Sequence, residues 1–282
     1  LPREREWDVH VGAVRISCRS AALSQVSTAP ADITTKLPAP PEVGVNGGWA
    51  LFLDVDGTLL DFAYDPDSVQ VDTRLREDLG TLRVRLGGAL ALLSGRPLSQ
   101  LDDLFDWTGH VAAGLHGAEL RMPDGRECIT GDSKRLGQVR ARAAGLVAEA
   151  PGVMLEDKRL ALALHYRHAP EARDAAERIA KTLLKDAGDL YAVQRGDHVV
   201  ELKPAGVDKG RALAALMGET PFRGRKPWML GDDLTDEDAF RHVNASGGIS
   251  VVVGTRRPSA ARYALANPVA VRAWLHGLAS TE

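Results

Sequence analysis

Residues 49–62 read WALFLDVDGTLLDF, an apolar run that ends in two carboxylates one residue apart, Asp54 and Asp56, followed by Gly57 and Thr58. A short apolar run bounded by turn residues is the pattern of a strand buried in a parallel sheet. In open α/β sheets ligands collect at the carboxyl ends of such strands. Residues i and i+2 of an extended chain face the same side, so Asp54 and Asp56 can address one small volume. Like charges that close raise each other's pKa unless a cation intervenes. A hard cation held by oxygen ligands lets Asp54 stay ionised as a nucleophile while Asp56 carries a proton for a leaving group. Thr58 adds a hydroxyl and an amide donor. The chemistry such a set serves is phosphoryl transfer. Taken alone, the pentapeptide also fits a bend between two strands, because Asp-Gly is a strong hairpin signal. An EF-hand loop is excluded, since Gly57 stands fourth from Asp54 and not sixth.

Further motifs point the same way. The run ALALLSGR ends at Ser94-Gly95-Arg96 just before Pro97, where a helix is expected to begin. A hydroxyl and free amides at such a strand-to-helix turn bind phosphate oxygens. In KPAGVDKGRALAALM, Asp208 reads as an N-cap and Lys209 falls in the first helical turn, the unfavourable end of the helix dipole for a cation. An anionic partner for Lys209 is therefore expected, with an ordinary solvated lysine as the plain alternative. Another apolar run leads into GDDLTDED, which places Asp232, Asp233 and Asp236 together. Their self-repulsion needs a metal, water or helix amides to offset it.

In this order, DxDGT, LLSGR, a lysine and GDDxTD, the chain resembles the haloacid dehalogenase superfamily of phosphotransferases. The resemblance implies that Asp54 is the nucleophile, Asp56 the general acid and base, and Ser94 and Lys209 the binders of the transferring phosphoryl group. It further implies a Mg²⁺ site formed by Asp54, the Asp56 carbonyl and Asp232, with Asp233 and Asp236 in support. The strings GLHGAEL (114–120), LEDKRLALALHYR (155–167), HVVELKPAGVDKG (198–210) and GDDLTDEDAF (231–240) narrow it, being similar to trehalose-6-phosphate phosphatases from roughly residue 48 to 278. That similarity implies hydrolysis of trehalose 6-phosphate to trehalose and phosphate, and a functional link with trehalose-6-phosphate synthase. Candidate substrate contacts are Thr58, Arg96, His116, Gly117, Glu119, Glu156, Lys158, His165, Arg195 and Glu201. The plain alternatives are a solvent-facing His165 and a charged hairpin turn at 156–159. Alternative functions are a phosphatase for another sugar phosphate, such as sucrose phosphate or mannosyl phosphoglycerate, and a catalytically silent sugar-phosphate-binding module.

The 282 residues, 44% hydrophobic and 26% charged, suit a soluble chain of about two domains. A formal charge of −3 provides no basic field, so nucleic acid and anionic membranes are not expected partners. Cys18 and Cys128 are the only cysteines, which excludes a disulfide framework and fits a reducing cytoplasm. Residues 1–47, with balanced charges and the linker-like LPAPPEVGVNGG, read as a disordered leader without a secretory h-region. Because position 1 is Leu and not Met, one reading of this leader is an artefact of an assumed translation start; a regulatory or docking segment is another. From residue 48 the alternation of strands (49–55, 89–93, 110–114, 227–230, 249–253) and helices (71–86, 98–106) predicts an α/β fold. Helices at 133–149 and 171–186, interleaved with strand pairs near 153–166 and 191–202, predict a separate α+β layer. The expected architecture is a haloacid-dehalogenase-like Rossmannoid parallel sheet formed by 48–117 and 204–282, with an inserted α+β cap at 118–203 reading the sugar.

Overall fold

The computed structural model describes residues 7–11, 14–18, 37–42, 48–61, 70–196 and 198–281. Residues 1–36 form a unit of their own, within which β1 (Trp7–Val11) pairs antiparallel with β2 (Val14–Cys18). The other residues of this unit lie outside the described ones. Residues 37–42, within the leader expected to run to residue 47, belong to the second unit: Leu37 packs against the main core, and the Pro38 carbonyl accepts the Ala264 amide at 2.9 Å.

The second unit starts with β3 (Trp49–Leu53), α1 (Thr73–Arg85), β4 (Leu90–Leu93), α2 (Leu98–Phe105), β5 (Ala112–Gly114), β6 (Glu119–Arg121) and β7 (Glu127–Ile129). It continues with α3 (Ser133–Ala148), β8 (Met154–Asp157), β9 (Leu162–His165), α4 (Arg173–Ala187), β10 (Tyr191–Gly196) and β11 (Val199–Pro204). It closes with α5 (Lys209–Met217), β12 (Lys226–Gly231), α6 (Glu237–Ala245), β13 (Ile249–Val253), β14 (Tyr263–Leu265) and α7 (Pro268–Ser280). The main sheet has the order β14-β13-β12-β3-β4-β5-β6-β7 and is parallel from β14 to β5. Its central strands are apolar at nearly every position, with Phe52, Leu53, Leu90, Leu92, Met229, Leu230 and Val251 all buried, as a sheet covered on both faces requires.

Register places the motifs side by side. Leu53 lies opposite Leu230 on β12 and opposite Leu92 on β4. Asp54, Asp232 and Ser94 therefore emerge together at the carboxyl ends of adjacent strands, where the chain order reverses across the sheet. The hairpin reading of DVDGT fails here, because both neighbours of β3 run parallel to it. Residues 54–60 instead fold into turns, with the amides of Leu59 and Leu60 donating to the Val55 carbonyl at 2.8 and 2.9 Å.

The insert differs from expectation at its start. β6 pairs antiparallel with β5, and β7 antiparallel with β6, so both extend the main sheet and the second layer begins after Ile129 and not at residue 118. That layer is an antiparallel sheet of order β10-β11-β9-β8. Helices α3 and α4 cover one face through Leu136, Val139, Ile179 and Leu183, which meet Leu162, Leu164, Val200 and Leu202 of the strands. No described helix is long and apolar enough to cross a membrane.

Phe222 is fully buried, with its ring 5.3 Å from that of Phe52 on β3. Phe222→Ala should cost about 3–5 kcal/mol in equilibrium urea unfolding. A loss below about 1 kcal/mol would mean that the surroundings collapse into the space the ring vacates.

Candidate active site

The deepest feature of the carboxyl edge is an ion cluster. Lys209, the first residue of α5 and only 2% exposed, donates from Nζ to Asp54 Oδ1 at 2.5 Å and to Asp236 Oδ1 at 2.7 Å. Asp208 caps the helix as expected, its carboxylate accepting the Arg211 amide at 2.7 Å. The other oxygen of Asp236 accepts the amides of Asp232 and Asp233, both at 3.0 Å. Thr58 Oγ1 lies 3.2 Å from both Asp54 Oδ2 and Asp232 Oδ1, and its single proton serves one of them at a time. Its amide is taken by the Val55 carbonyl at 3.3 Å. Asp233 caps the short turn at 234–236 in a reciprocal pair with Asp236.

Burial drives the Asp54 carboxyl well above its ordinary value; Lys209 opposes this, and Asp236 and Asp232 add to it. Burial, followed by the charge of Asp236, pushes Asp232 up to about 7. Lys209 is raised despite its burial, because Asp236 and Asp54 outweigh the loss of water. The cluster sets three carboxylates against one ammonium. Ligand oxygens of Asp54, Asp232 and Asp236 all lie within 4.8 Å of one another. Three hard carboxylate donors in an electron-rich, buried setting suit a divalent cation of the magnesium or calcium type. The Asp56 carboxylate is not part of this group.

Asp56 is instead gripped by Arg96, whose Nε and Nη2 donate to its two oxygens at 2.8 and 2.7 Å. Ser94 is buried at the end of β4, its Oγ accepting the Arg96 amide at 3.1 Å and its own amide spent on the Ala113 carbonyl.

Strand parity sorts the residues of the second layer. Glu156 lies opposite Ala163, and Ala163 opposite Glu201, so these share the face away from α3 and α4. His165 and Lys158 have the same parity. They form one cluster: His165 Nε2 to Glu156 at 2.7 Å, Lys158 Nζ to Glu201 at 3.5 Å, and His116 Nε2 of the main domain to Glu201 at 3.0 Å. Lys158 also donates to the Gly95 carbonyl at 3.2 Å, joining the layer to the loop that carries Ser94 and Arg96. Burial works to raise Glu201, but Lys158 and His116 more than reverse it and hold the carboxyl far below its ordinary value. Burial lowers His116, against the pull of Glu201.

The family profile described as trehalose-phosphatase matches residues 52–269. A Sinorhizobium fredii protein with the printed name "Probable trehalose-phosphate phosphatase" is 46% identical, covering 75% of this chain and 80% of its own. The Escherichia coli trehalose-6-phosphate phosphatase is 40% identical over 86% of this chain and 90% of its own. The chain belongs to the trehalose-phosphatase family. Its fold is that of haloacid dehalogenase-like hydrolases. The C-terminal domain of the Candida albicans trehalose-6-phosphate phosphatase superposes with a TM-score of 0.74 at 22% identity, covering 88% of this chain and all of that one.

Three further expected contacts of this trehalose-phosphatase family member have structural partners of their own. Arg195 lies opposite Val200, on the helix-covered side, and its exposed fork closes on Glu177 of α4 with two bonds of 2.7 Å. Glu119 is buried with one oxygen accepting the Leu98 amide at 2.8 Å and the other 3.4 Å from Arg159, so it caps α2. Gly117, at φ +101°, lets the chain pass the start of α5, where a Cβ would sit 3.0 Å from the Asp208 carbonyl. One contributor was not foreseen: Arg256, whose guanidinium holds the carbonyls of Asp232 and Asp233.

Gly231 leads into the acidic loop, and a Cβ there would lie 2.3 Å from Cγ of Asp236. Asp236 has no room to yield, being fully buried between Lys209 and two amides. Gly231→Ala should therefore lower the thermal midpoint by several degrees, about 1–3 kcal/mol of strain, and reduce phosphatase turnover by about 10²-fold. Unchanged turnover in this variant would show that Asp236 does not need its observed position.

Proposed function

We infer that this chain is a Mg²⁺-dependent trehalose-6-phosphate phosphatase acting through an aspartyl-phosphate on Asp54. The observation that carries the reading is the buried Lys209–Asp54–Asp232 cluster at the strand ends, lying below a polar sheet face that presents Glu156, Lys158, His165 and Glu201. The family membership supports the choice of sugar phosphate.

An Asp54 oxygen attacks phosphorus in line, and the bond from phosphorus to the sugar oxygen breaks. Asp56 gives that oxygen a proton, then takes one from the water that attacks the phosphoryl-aspartate, which releases phosphate and restores Asp54. Lys209 and the Ser94 hydroxyl offset charge on the phosphoryl oxygens. Arg96 holds Asp56 in one orientation. Asp54, Asp232 and the Asp56 carbonyl, with Asp236 in support, would hold Mg²⁺, which would supply positive charge to the phosphoryl group. The alternating donors and acceptors on Glu156, Lys158, His165, His116 and Glu201 suit a ring of sugar hydroxyls. The substrate implies an upstream synthase reaction that joins a sugar phosphate to a second glucose, and cysteine usage supports a cytoplasmic setting.

The purified chain should release phosphate from trehalose 6-phosphate with Mg²⁺ and stop when the ion is chelated. Asp54→Asn should abolish both turnover and acid-stable labelling by substrate while leaving the fold intact. Near-normal turnover in that variant would remove Asp54 as nucleophile. Preference for sucrose phosphate in a side-by-side panel would reassign the substrate.

Lys158 touches both the sugar face and the Ser94 loop, so Glu156 is the cleaner probe of recognition. Glu156→Ala should reduce kcat/KM for trehalose 6-phosphate by about 10- to 100-fold through lost charged hydrogen bonds, with little effect on a small aryl phosphate. Equal proportional losses on both substrates would disprove sugar reading by this face.

A further inference from the structure

Arg256 stands in the loop after β13, outside every motif that carries the chemistry, yet its guanidinium braces the acidic loop. Its Nε donates to the Asp232 carbonyl at 2.9 Å and its Nη2 to the Asp233 carbonyl at 3.1 Å. Nη2 also pairs with Glu237 Oε1 in the first turn of α6. The second oxygen of Glu237 accepts the Ala260 amide at 2.7 Å, which ties the 256–260 loop to the helix at another point. Asp236 meanwhile accepts the amides of the same two residues, each at 3.0 Å. Asp232 and Asp233 are thus held by their amides from Asp236 and by their carbonyls from Arg256.

This double grip matters because the Asp232 side chain is itself weakly held, Thr58 sharing one hydroxyl proton between Asp54 and Asp232. Asp232 points into a buried group with Asp54 and Asp236, where like charge repels it. A backbone free to rotate would relieve that repulsion by turning the carboxylate toward water. The planar guanidinium fork reaches two carbonyls and a carboxylate at once, whereas an ammonium on a flexible stem lacks that fixed geometry. Glu237 is 8% exposed and holds the fork in place.

We propose that Arg256, oriented by Glu237, is a positioning residue that aims the Asp232 carboxylate at the bound cation. The inference rests on the reading of Asp232 as a cation ligand. Outer partners of ligating groups change metal affinity by about 10- to 100-fold when removed. Arg256→Met keeps an unbranched apolar stem and removes all the donors.

The test is direct Mn²⁺ binding to the full chain, with free ion counted by electron paramagnetic resonance and folding checked by far-UV circular dichroism. Asp232→Asn should lose most of the binding. Arg256→Met should raise the Kd about 10-fold or more, and Arg256→Lys should recover only part of it. A wild-type chain that binds no Mn²⁺, or an Asp232→Asn variant that binds as tightly as wild type, overturns the reading of the cation site itself. Loss of binding in Asp232→Asn together with an Arg256→Met Kd within about twofold of wild type overturns the positioning role alone, since that change is far below the expected range. A drop in thermal midpoint with unchanged Kd overturns it equally, for it marks a purely structural contact. If Arg256→Met does not fold, Glu237→Gln decides: a weaker Mn²⁺ affinity supports the brace and an unchanged one refutes it.

Discussion

The buried ammonium of Lys209 is the interaction on which the arrangement depends. It joins the end of β3 through Asp54, the start of α5 through its own backbone, and the loop after β12 through Asp236. A lysine at a helix N-terminus gains nothing from the helix dipole, so the carboxylates alone hold it there. Truncating one partner of such a pair leaves an uncompensated buried charge, which costs about 3–5 kcal/mol in comparable settings. The parallel sheet makes the pairing possible, because adjacency of β3 and β12 brings together two acidic strings far apart in the chain.

One ammonium against Asp54, Asp232 and Asp236 leaves the cluster short of positive charge. That shortage is useful for phosphate-ester chemistry. In the proposed reaction a carboxylate nucleophile meets a dianion, and a bound cation together with Lys209 would reduce the repulsion between them. The second layer has a different electrostatic character. Its acids and bases are matched, Glu201 with Lys158 and with His116 of the main domain, and Glu156 with His165. A locally balanced set of donors and acceptors offers hydrogen bonds without a field that would compete for the phosphate. In the proposed function, charge handling and hydroxyl recognition fall to different sheets, which meet where Lys158 reaches the Gly95 carbonyl.

Two glutamates that look alike in sequence show how folding divides such residues. Glu201 faces the cleft and meets His116 and Lys158. Glu119 ends up capping α2, a helix whose N-cap position is Pro97 and has no side-chain acceptor of its own. An orphan amide at a buried helix start must be satisfied from somewhere, and the nearby β6 strand delivers the acceptor.

The strand ends, the paired acids, Ser94, Lys209 and the α/β alternation were legible in the chain because each is a local property. An apolar run, a two-residue spacing or a capped helix start can be read without knowing what lies beside it. Membership of β6 and β7 in the main sheet was not legible, since strands of three residues carry too little periodicity to declare a partner. The face of Arg195 was hidden for a related reason: only the register of β10 on β11 places it opposite Val200 and toward α4. Arg256 left no local signal at all, because it acts on main-chain carbonyls that any residue could supply. Local patterns in the chain thus decide which apolar runs become parallel strands and which acidic, hydroxyl and lysine groups stand at their ends. Tertiary structure alone decided which charged side chains share a face, since parity across a sheet and contact between distant loops depend on pairings that no stretch of chain encodes by itself.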